Sequence, residues 1–170
     1  MYIMNQICPL WVSKCTICNQ IKRDPETLRK HVMSDHNMIM CMLCIDHLKC
    51  FPAEFQIYEN KDYELHVRFG DKFGSQGHPN CEFCKKRYFD KTELFMHLHV
   101  DHFTCHICEK DGIYYKYYDN YHCLENHFRR EHCLCEEASC LERRYIVFTN
   151  EIDMASHRRQ WHPQLQVSAL

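Results

Sequence analysis

An apolar residue stands three positions before a histidine at five places along this 170-residue chain. The pairs are Leu28 with His31, Tyr63 with His66, Leu94 with His97, Leu124 with His127 and Met154 with His157. In three of them an aromatic lies six residues further upstream: Tyr88, Tyr118 and Phe148. The first repeat keeps Leu28 but has Lys22 at the aromatic slot, with Ile21 beside it as a substitute. A spacing of three puts the apolar residue and the histidine on one face of a helix. The aromatic upstream suits a short strand whose side chain meets that helix. Each repeat thus predicts two short strands followed by a helix, with the aromatic and the apolar residue as a very small core. No run is long and apolar enough for a membrane span or a signal peptide.

Cysteine pairs complete the repeats. Cys15, Cys18, His31 and His36 form the first set; Cys41, Cys44, His66 and His78 the second; Cys81, Cys84, His97 and His102 the third. Cys105, Cys108, His127 and His132 form the fourth, and Cys135, Cys140, His157 and His162 the fifth. Two thiolates and two imidazoles close a tetrahedral Zn²⁺ site and leave no open position for chemistry. The predicted fold class is small zinc-stabilised ββα modules: a tandem array of five C2H2-type zinc fingers, holding five Zn²⁺ and packed as an irregular rod. The fingers span residues 15–36, 41–78, 81–102, 105–132 and 135–162, between an N-terminal extension (1–14) and a C-terminal tail (163–170). In the fourth and fifth, extra residues fall between the second cysteine and the aromatic, where a hairpin can lengthen.

The second finger is atypical, because eleven residues separate His66 from His78. A rival set, Cys41, Cys44, His47 and Cys50, makes a compact knuckle. Tyr63, three before His66, favours His66 and His78. The remaining Cys8, Cys50, Cys123, Cys133, His47, His99, His106 and His122 read as packing residues, with no nucleophile constellation left among them.

Fourteen cysteines in this length suggest a disulfide scaffold, but their match to fourteen histidines argues for metal instead. Zinc thiolates must stay reduced, so a cytoplasmic location is expected. Units of roughly 20–40 residues bury too little to be stable without the metal. The net charge is −2, which excludes a general nucleic-acid coat. The cations are clustered, and Lys85, Lys86, Arg87, Lys116, Arg129, Arg130, Arg143, Arg144, Arg158 and Arg159 are the candidate RNA contacts. Tyr114, Tyr115, Tyr117, Tyr118 and Tyr121 surround Lys116. Cations on phosphates with aromatics stacking on splayed bases is the chemistry of single-stranded or structured RNA. The alternative reading is that these tyrosines pack the hairpin.

Duplex DNA reading is disfavoured. Fingers that read bases use helix positions −1, 3 and 6. Here these are Asp24, Thr27 and Lys30; Asp90, Glu93 and Met96; Asn120, Cys123 and Asn126; and Asn150, Asp153 and Ser156. None is an Arg for a guanine edge, and several are acidic. Spacers of two residues, Pro79-Asn80, Phe103-Thr104 and Cys133-Leu134, predict fingers that pack on one another.

From Gly77 the residues Gly77-His78-Pro79-Asn80-Cys81-Glu82-Phe83-Cys84, Arg87-Tyr88-Phe89-Asp90, Asp101-His102-Phe103-Thr104-Cys105-His106-Ile107-Cys108 and His127-Phe128-Arg129 form a further pattern. It resembles the zinc-finger region of the RING/zinc-finger E3 ubiquitin ligases that detect collided ribosomes. The resemblance covers about residues 8–162 and supports His78 as a ligand. In that family a RING, with two four-ligand zinc sites, recruits the charged E2; only residues 1–14 precede Cys15 here. The resemblance therefore implies the ribosome-binding half without ubiquitin-ligase activity. The leading expectation is a non-catalytic factor looking like the stand-alone dormancy factors of microsporidia. It would sit as a monomer on small-subunit rRNA and proteins near the tRNA/mRNA path and block translation. The alternative is the ribosome-recognition fragment of such a ligase, acting in ribosome-associated quality control. A membrane or small-molecule partner is not expected.

Overall fold

The computed structural model describes residues 12–71 and 76–166. The N-terminal extension before Val12, including Cys8, and the tail after Gln166 lie outside the described residues. The chain divides into two compact units, one through Leu94 and one from Phe95.

The first unit opens with β1 (Ser13–Lys14), paired antiparallel with β2 (Ile21–Lys22). Helix α1 (Pro25–His36) follows. Asp24 caps it by accepting from the Thr27 backbone N–H at 2.7 Å, Pro25 stands in its first turn, and Asn37 closes it in the left-handed region. These are the expected start and stop signals. The Thr27 bonds and Arg23 hold the Asp24 carboxyl down at about 2. Strand β3 (Ile39–Met40) pairs with β4 (Ile57–Tyr58), and α2 (Met42–His47) and a 3-10 turn (Pro52–Glu54) lie between them. Helix α3 (Asn60–Phe69) carries His66. A single bridge, Asn80 to Arg87, stands where the third finger's hairpin is expected. Helix α4 (Lys91–Asp101) follows it.

In the second unit β5 (Phe103–Thr104) pairs with β6 (Tyr117–Tyr118) around α5 (His106–Lys110), and α6 (Tyr121–Glu131) follows. Strand β7 (Cys133–Leu134) then pairs with β8 (Val147–Phe148) around α7 (Ala138–Arg143). Helix α8 (Glu151–Trp161) and a 3-10 turn (Pro163–Gln166) complete the described chain.

The two-residue spacers Phe103-Thr104 and Cys133-Leu134 are β5 and β7, the first strands of the hairpins that follow. One feature departs from the sequence reading. The inserted residues do not lengthen the hairpins, whose paired strands stay two residues long. Only Glu109 and Lys110 of the fourth finger's insertion lie in α5, and Leu141, Glu142 and Arg143 of the fifth finger's lie in α7; the rest run irregularly to the second strand.

Adjacent fingers share cores inside each unit. Leu28 and Val32 of α1 pack in one cluster with Met40 of β3 and Phe55. Leu124 and Phe128 of α6 pack with Leu134 of β7 and Val147 of β8. Val32 and Phe128 each follow a ligand histidine directly and are fully buried. Each such side chain contributes about 1.5–3 kcal/mol of burial, so neighbouring fingers stabilise one another. Phe148 and Met154 pack instead against Cys135 and Cys140 in the fifth finger's own core.

Candidate metal centres and nucleic-acid interface

The structure gathers all five cysteine–histidine sets, the donor atoms of each lying within 4.8 Å of one another. The first cysteines emerge from strand ends or helix caps. Cys105 caps α5, and its sulfur accepts the Cys108 backbone N–H at 3.3 Å. The histidines come from α1, α3, α4, α6 and α8 and from the residues that follow them.

The donor geometry fits tetrahedral zinc. Zn–S and Zn–N bonds at a tetrahedral angle place sulfur and nitrogen about 3.5 Å apart. Cys15 Sγ lies 3.5 Å from His36 Nε2 and Cys18 Sγ 3.1 Å from His31 Nε2. In the second set Cys41 is 3.2 Å from His78 and Cys44 3.4 Å from His66. In the fourth set Cys105 is 3.2 Å from His132 and Cys108 3.3 Å from His127. In the fifth set Cys135 is 3.6 Å from His162 and Cys140 3.4 Å from His157. The two imidazoles of every set meet edge to face, with centroids 4.9–5.1 Å apart.

Carboxylates orient three of the histidines. His31 Nδ1 lies 2.7 Å from Asp35, His66 Nδ1 2.7 Å from Asp71 and His97 Nδ1 2.6 Å from Asp101. His78 Nδ1 donates to the Phe89 carbonyl at 3.0 Å and His102 Nδ1 to that of Asp119 at 3.3 Å. A proton held on Nδ1 leaves Nε2 for the metal. Asp71 also accepts the Tyr58 hydroxyl at 2.7 Å, and the Tyr58 ring stacks on His66. The sequence reading missed these acids, although an aspartate four residues after His31 and His97 is one helical turn away and visible in the chain.

The rival knuckle of the second finger is not assembled. The His47 ring stacks on Phe89 with centroids 4.7 Å apart, and its Nε2 meets Glu93 at 2.5 Å. The Leu43 carbonyl and then Glu93 hold its pKa above the ordinary value. Cys50 packs in the apolar cluster around Leu28 and Phe55.

Gly77 is what allows His78 to reach the second site. Its φ is +83°, and an added Cβ would lie 2.7 Å from the Arg68 carbonyl oxygen. The next residue, His78, donates its backbone N–H to Val67 O at 2.7 Å, docking the segment across the end of α3. Gly77→Ala is expected to cost about 1–3 kcal/mol in backbone strain and to push His78 out. Metal analysis should then find one zinc fewer than in the parent protein, with the other sites filled.

Acid should remove the metal. A holo site holds its thiolates and imidazoles deprotonated, so their pKa values are depressed. The stability they contribute is present at high pH and is lost as pH falls. Without metal, burial pushes the Cys108 thiol up, whereas a hydrogen bond from Cys44 pulls Cys41 well down. Zinc release from the sites is therefore expected as pH falls, which imidazole NMR through a pH titration would check.

All ten candidate RNA cations are exposed, but four are engaged within the protein. Arg129 pairs with Glu125 at 2.7 Å and Glu136 at 2.8 Å, clasping α6 to the chain beyond β7. Arg87 donates to the His78 carbonyl at 3.1 Å. The Arg144 guanidinium lies 4.7 Å over Tyr121, and that of Arg143 5.9 Å over Trp161. Among the described residues, no side-chain hydrogen bond or ion pair engages Lys85, Lys86, Lys116, Arg130, Arg158 or Arg159. Of the tyrosines, Tyr118 packs on His127 with its hydroxyl buried and unpaired. Tyr121 packs on Phe103, and Tyr114 and Tyr115 stand exposed.

The residues at the DNA-reading position −1 are occupied. Asp24, Asp90, Asn120 and Asn150 each accept the backbone N–H three residues on, from Thr27, Glu93, Cys123 and Asp153. A side chain that caps its helix is not free to meet a base edge.

A family model described as a C2H2-type zinc finger matches residues 101–158. The chain is a tandem array of C2H2-like zinc fingers. Its five Cys/His sets bind zinc. It is 39% identical over 145 residues to the E3 ubiquitin-protein ligase ZNF598 of Homo sapiens, covering 84% of this chain and 16% of the relative. It is 36% identical over 144 residues to the E3 ubiquitin-protein ligase hel2 of Schizosaccharomyces pombe, covering 80% and 20%. Against HEL2 of Saccharomyces cerevisiae it is 34% identical over 135 residues, covering 78% and 21%. The chain thus spans about a sixth to a fifth of the length of these relatives. No solved structure matches it. Among the described residues no helix is long and apolar enough to cross a membrane.

Proposed function

We propose that this chain is a ribosome-recognition module of the kind carried by ubiquitin ligases of ribosome-associated quality control. In this reading it binds rRNA of the small subunit near the tRNA/mRNA path, as a monomer in the cytoplasm. The similarity to E3 ubiquitin-protein ligases across about four fifths of the chain carries the reading. The six free cations support RNA rather than duplex DNA as the target, because the side chains at position −1 of four helices cap those helices instead of facing a base edge. The structural zinc sites account for every metal-ligating set found among the described residues. What these residues supply is therefore binding, and the expected effect of the chain alone is occupancy of a site that tRNA or mRNA needs.

Co-sedimentation of the zinc-loaded chain with purified ribosomes and separated subunits, across a salt series, tests this. Stoichiometric binding to the small subunit that weakens with salt is expected, together with inhibition of translation in a purified system. Absence of binding at low salt would overturn the reading. Binding without inhibition would support recognition and remove the occupancy step.

A further inference from the structure

Among the described residues, cavities of about 400 Å³ each lie in the second and fifth fingers, and their linings differ in charge. One, in the second finger, carries the carboxylates Glu54 and Asp71 and would repel a phosphate. The other, in the fifth finger, has Arg143 as its charged lining residue and holds no acid among the described residues. It is lined by the zinc ligands Cys140, His157 and His162, by β8, and by Arg143, Tyr145 and Trp161. Two lining aromatics are open, Tyr145 43% exposed and Trp161 56% exposed.

Part of the lining is assembled at a conformational cost. Arg144 and Tyr145 are consecutive residues with φ of +58° and +56°, a region that bulky side chains rarely occupy. Strain of this kind concentrates at binding sites. It persists because the Tyr145 ring packs 5.3 Å from Tyr121 and its backbone N–H reaches the Tyr121 hydroxyl at 3.3 Å. The turn brings Tyr145 to the cavity lining, where the Arg143 guanidinium lies 5.9 Å over the Trp161 ring.

We propose that this cleft takes one unpaired nucleotide of an RNA, its base stacked against Trp161 and its phosphate held by Arg143. The inference rests on the ribosome-recognition reading and names a contact within it. An aromatic face beside a lone cation, without an acid, matches a base joined to a phosphate. A hydrogen-bond reader is not needed for that, so little base preference is expected.

The test uses the full zinc-loaded chain carrying Trp11→Phe, which leaves Trp161 as the one tryptophan of the two. Short unstructured oligouridine and oligoadenosine are titrated in, and then ribosomes. Saturable quenching of Trp161 emission by both RNAs is expected. Trp161→Leu should weaken RNA binding about ten- to hundredfold, and Trp161→Phe should recover most of it. Arg143→Gln should lower the magnitude of the salt slope by about 0.7 while zinc content stays unchanged. A merely structural role for Arg143 would not move that slope.

Emission unmoved by RNA, or both variants binding as the parent does, would overturn the proposal. A response to ribosomes but not to RNA would assign the cleft to a protein side chain and overturn it equally. If Trp161→Leu loses zinc, the Arg143→Gln slope decides, and an unchanged slope overturns. RNA quenching without ribosome binding would sustain the cleft and sink the ribosome reading, so the two failures are distinguishable.

Discussion

His127→Ala is expected to empty the fourth zinc site and to loosen the fifth finger with it. Zinc binding contributes about 10–16 kcal/mol to folding in isolated fingers, far more than a core of this size supplies. The remaining three donors would hold the metal weakly, and α6 would lose its anchor. That helix carries Leu124 and Phe128, which pack against Leu134 and Val147 of the fifth finger's strands. The Arg129 clasp to Glu125 and Glu136 would go with it. His157→Ala makes the contrast, because α8 ends the described array and its core partner Met154 packs on Cys135 and Cys140 of its own finger. Metal analysis should therefore find one zinc lost in His157→Ala. In His127→Ala it should find one lost and the fifth held more weakly against a chelator. Unchanged fifth-finger amide resonances in His127→Ala would show that the shared core does not couple the two.

The ligand positions were readable because zinc chemistry imposes spacing. Cysteine pairs and histidines one to two turns apart leave a periodic trace, and the apolar residue three before each first histidine repeats it. His78 was harder, because its distance from His66 breaks the period. The cause is local: Gly77, at positive φ, lets His78 dock on Val67 at the end of α3, and a single glycine leaves no spacing to read. The short helices α2, α5 and α7 were not legible either. Their five or six residues carry no helical period, and their form is fixed by the cysteines they position. Nor does a chain show which cations are already spent. Arg129 and Arg130 are neighbours of one type; Arg129 meets Glu125 one turn back on α6, and only the packing of α6 against the turn after β7 adds Glu136, while Arg130 gains neither.

That difference yields the other large effect. Replacing Lys116, Arg130, Arg158 and Arg159 together by Ala should weaken ribosome binding by at least about a hundredfold near physiological salt. The magnitude of the salt slope should fall by about three, since each phosphate contact to a single strand contributes about 0.7. All four side chains are exposed, and none is a zinc donor, so five zincs should remain bound. Arg129→Ala should behave otherwise. Its guanidinium is occupied by Glu125 and Glu136, so the slope should hardly move, and the loss should appear as about 1 kcal/mol or less of stability. Freed carboxylates beside Arg130 would also repel an approaching phosphate, which predicts a modest drop in association rate for Arg129→Ala. Co-sedimentation across a salt series, with circular dichroism on the same preparations, separates the two variants. A quadruple variant that binds ribosomes with the parental slope would show that these cations face solvent, and that recognition runs through another surface of the array.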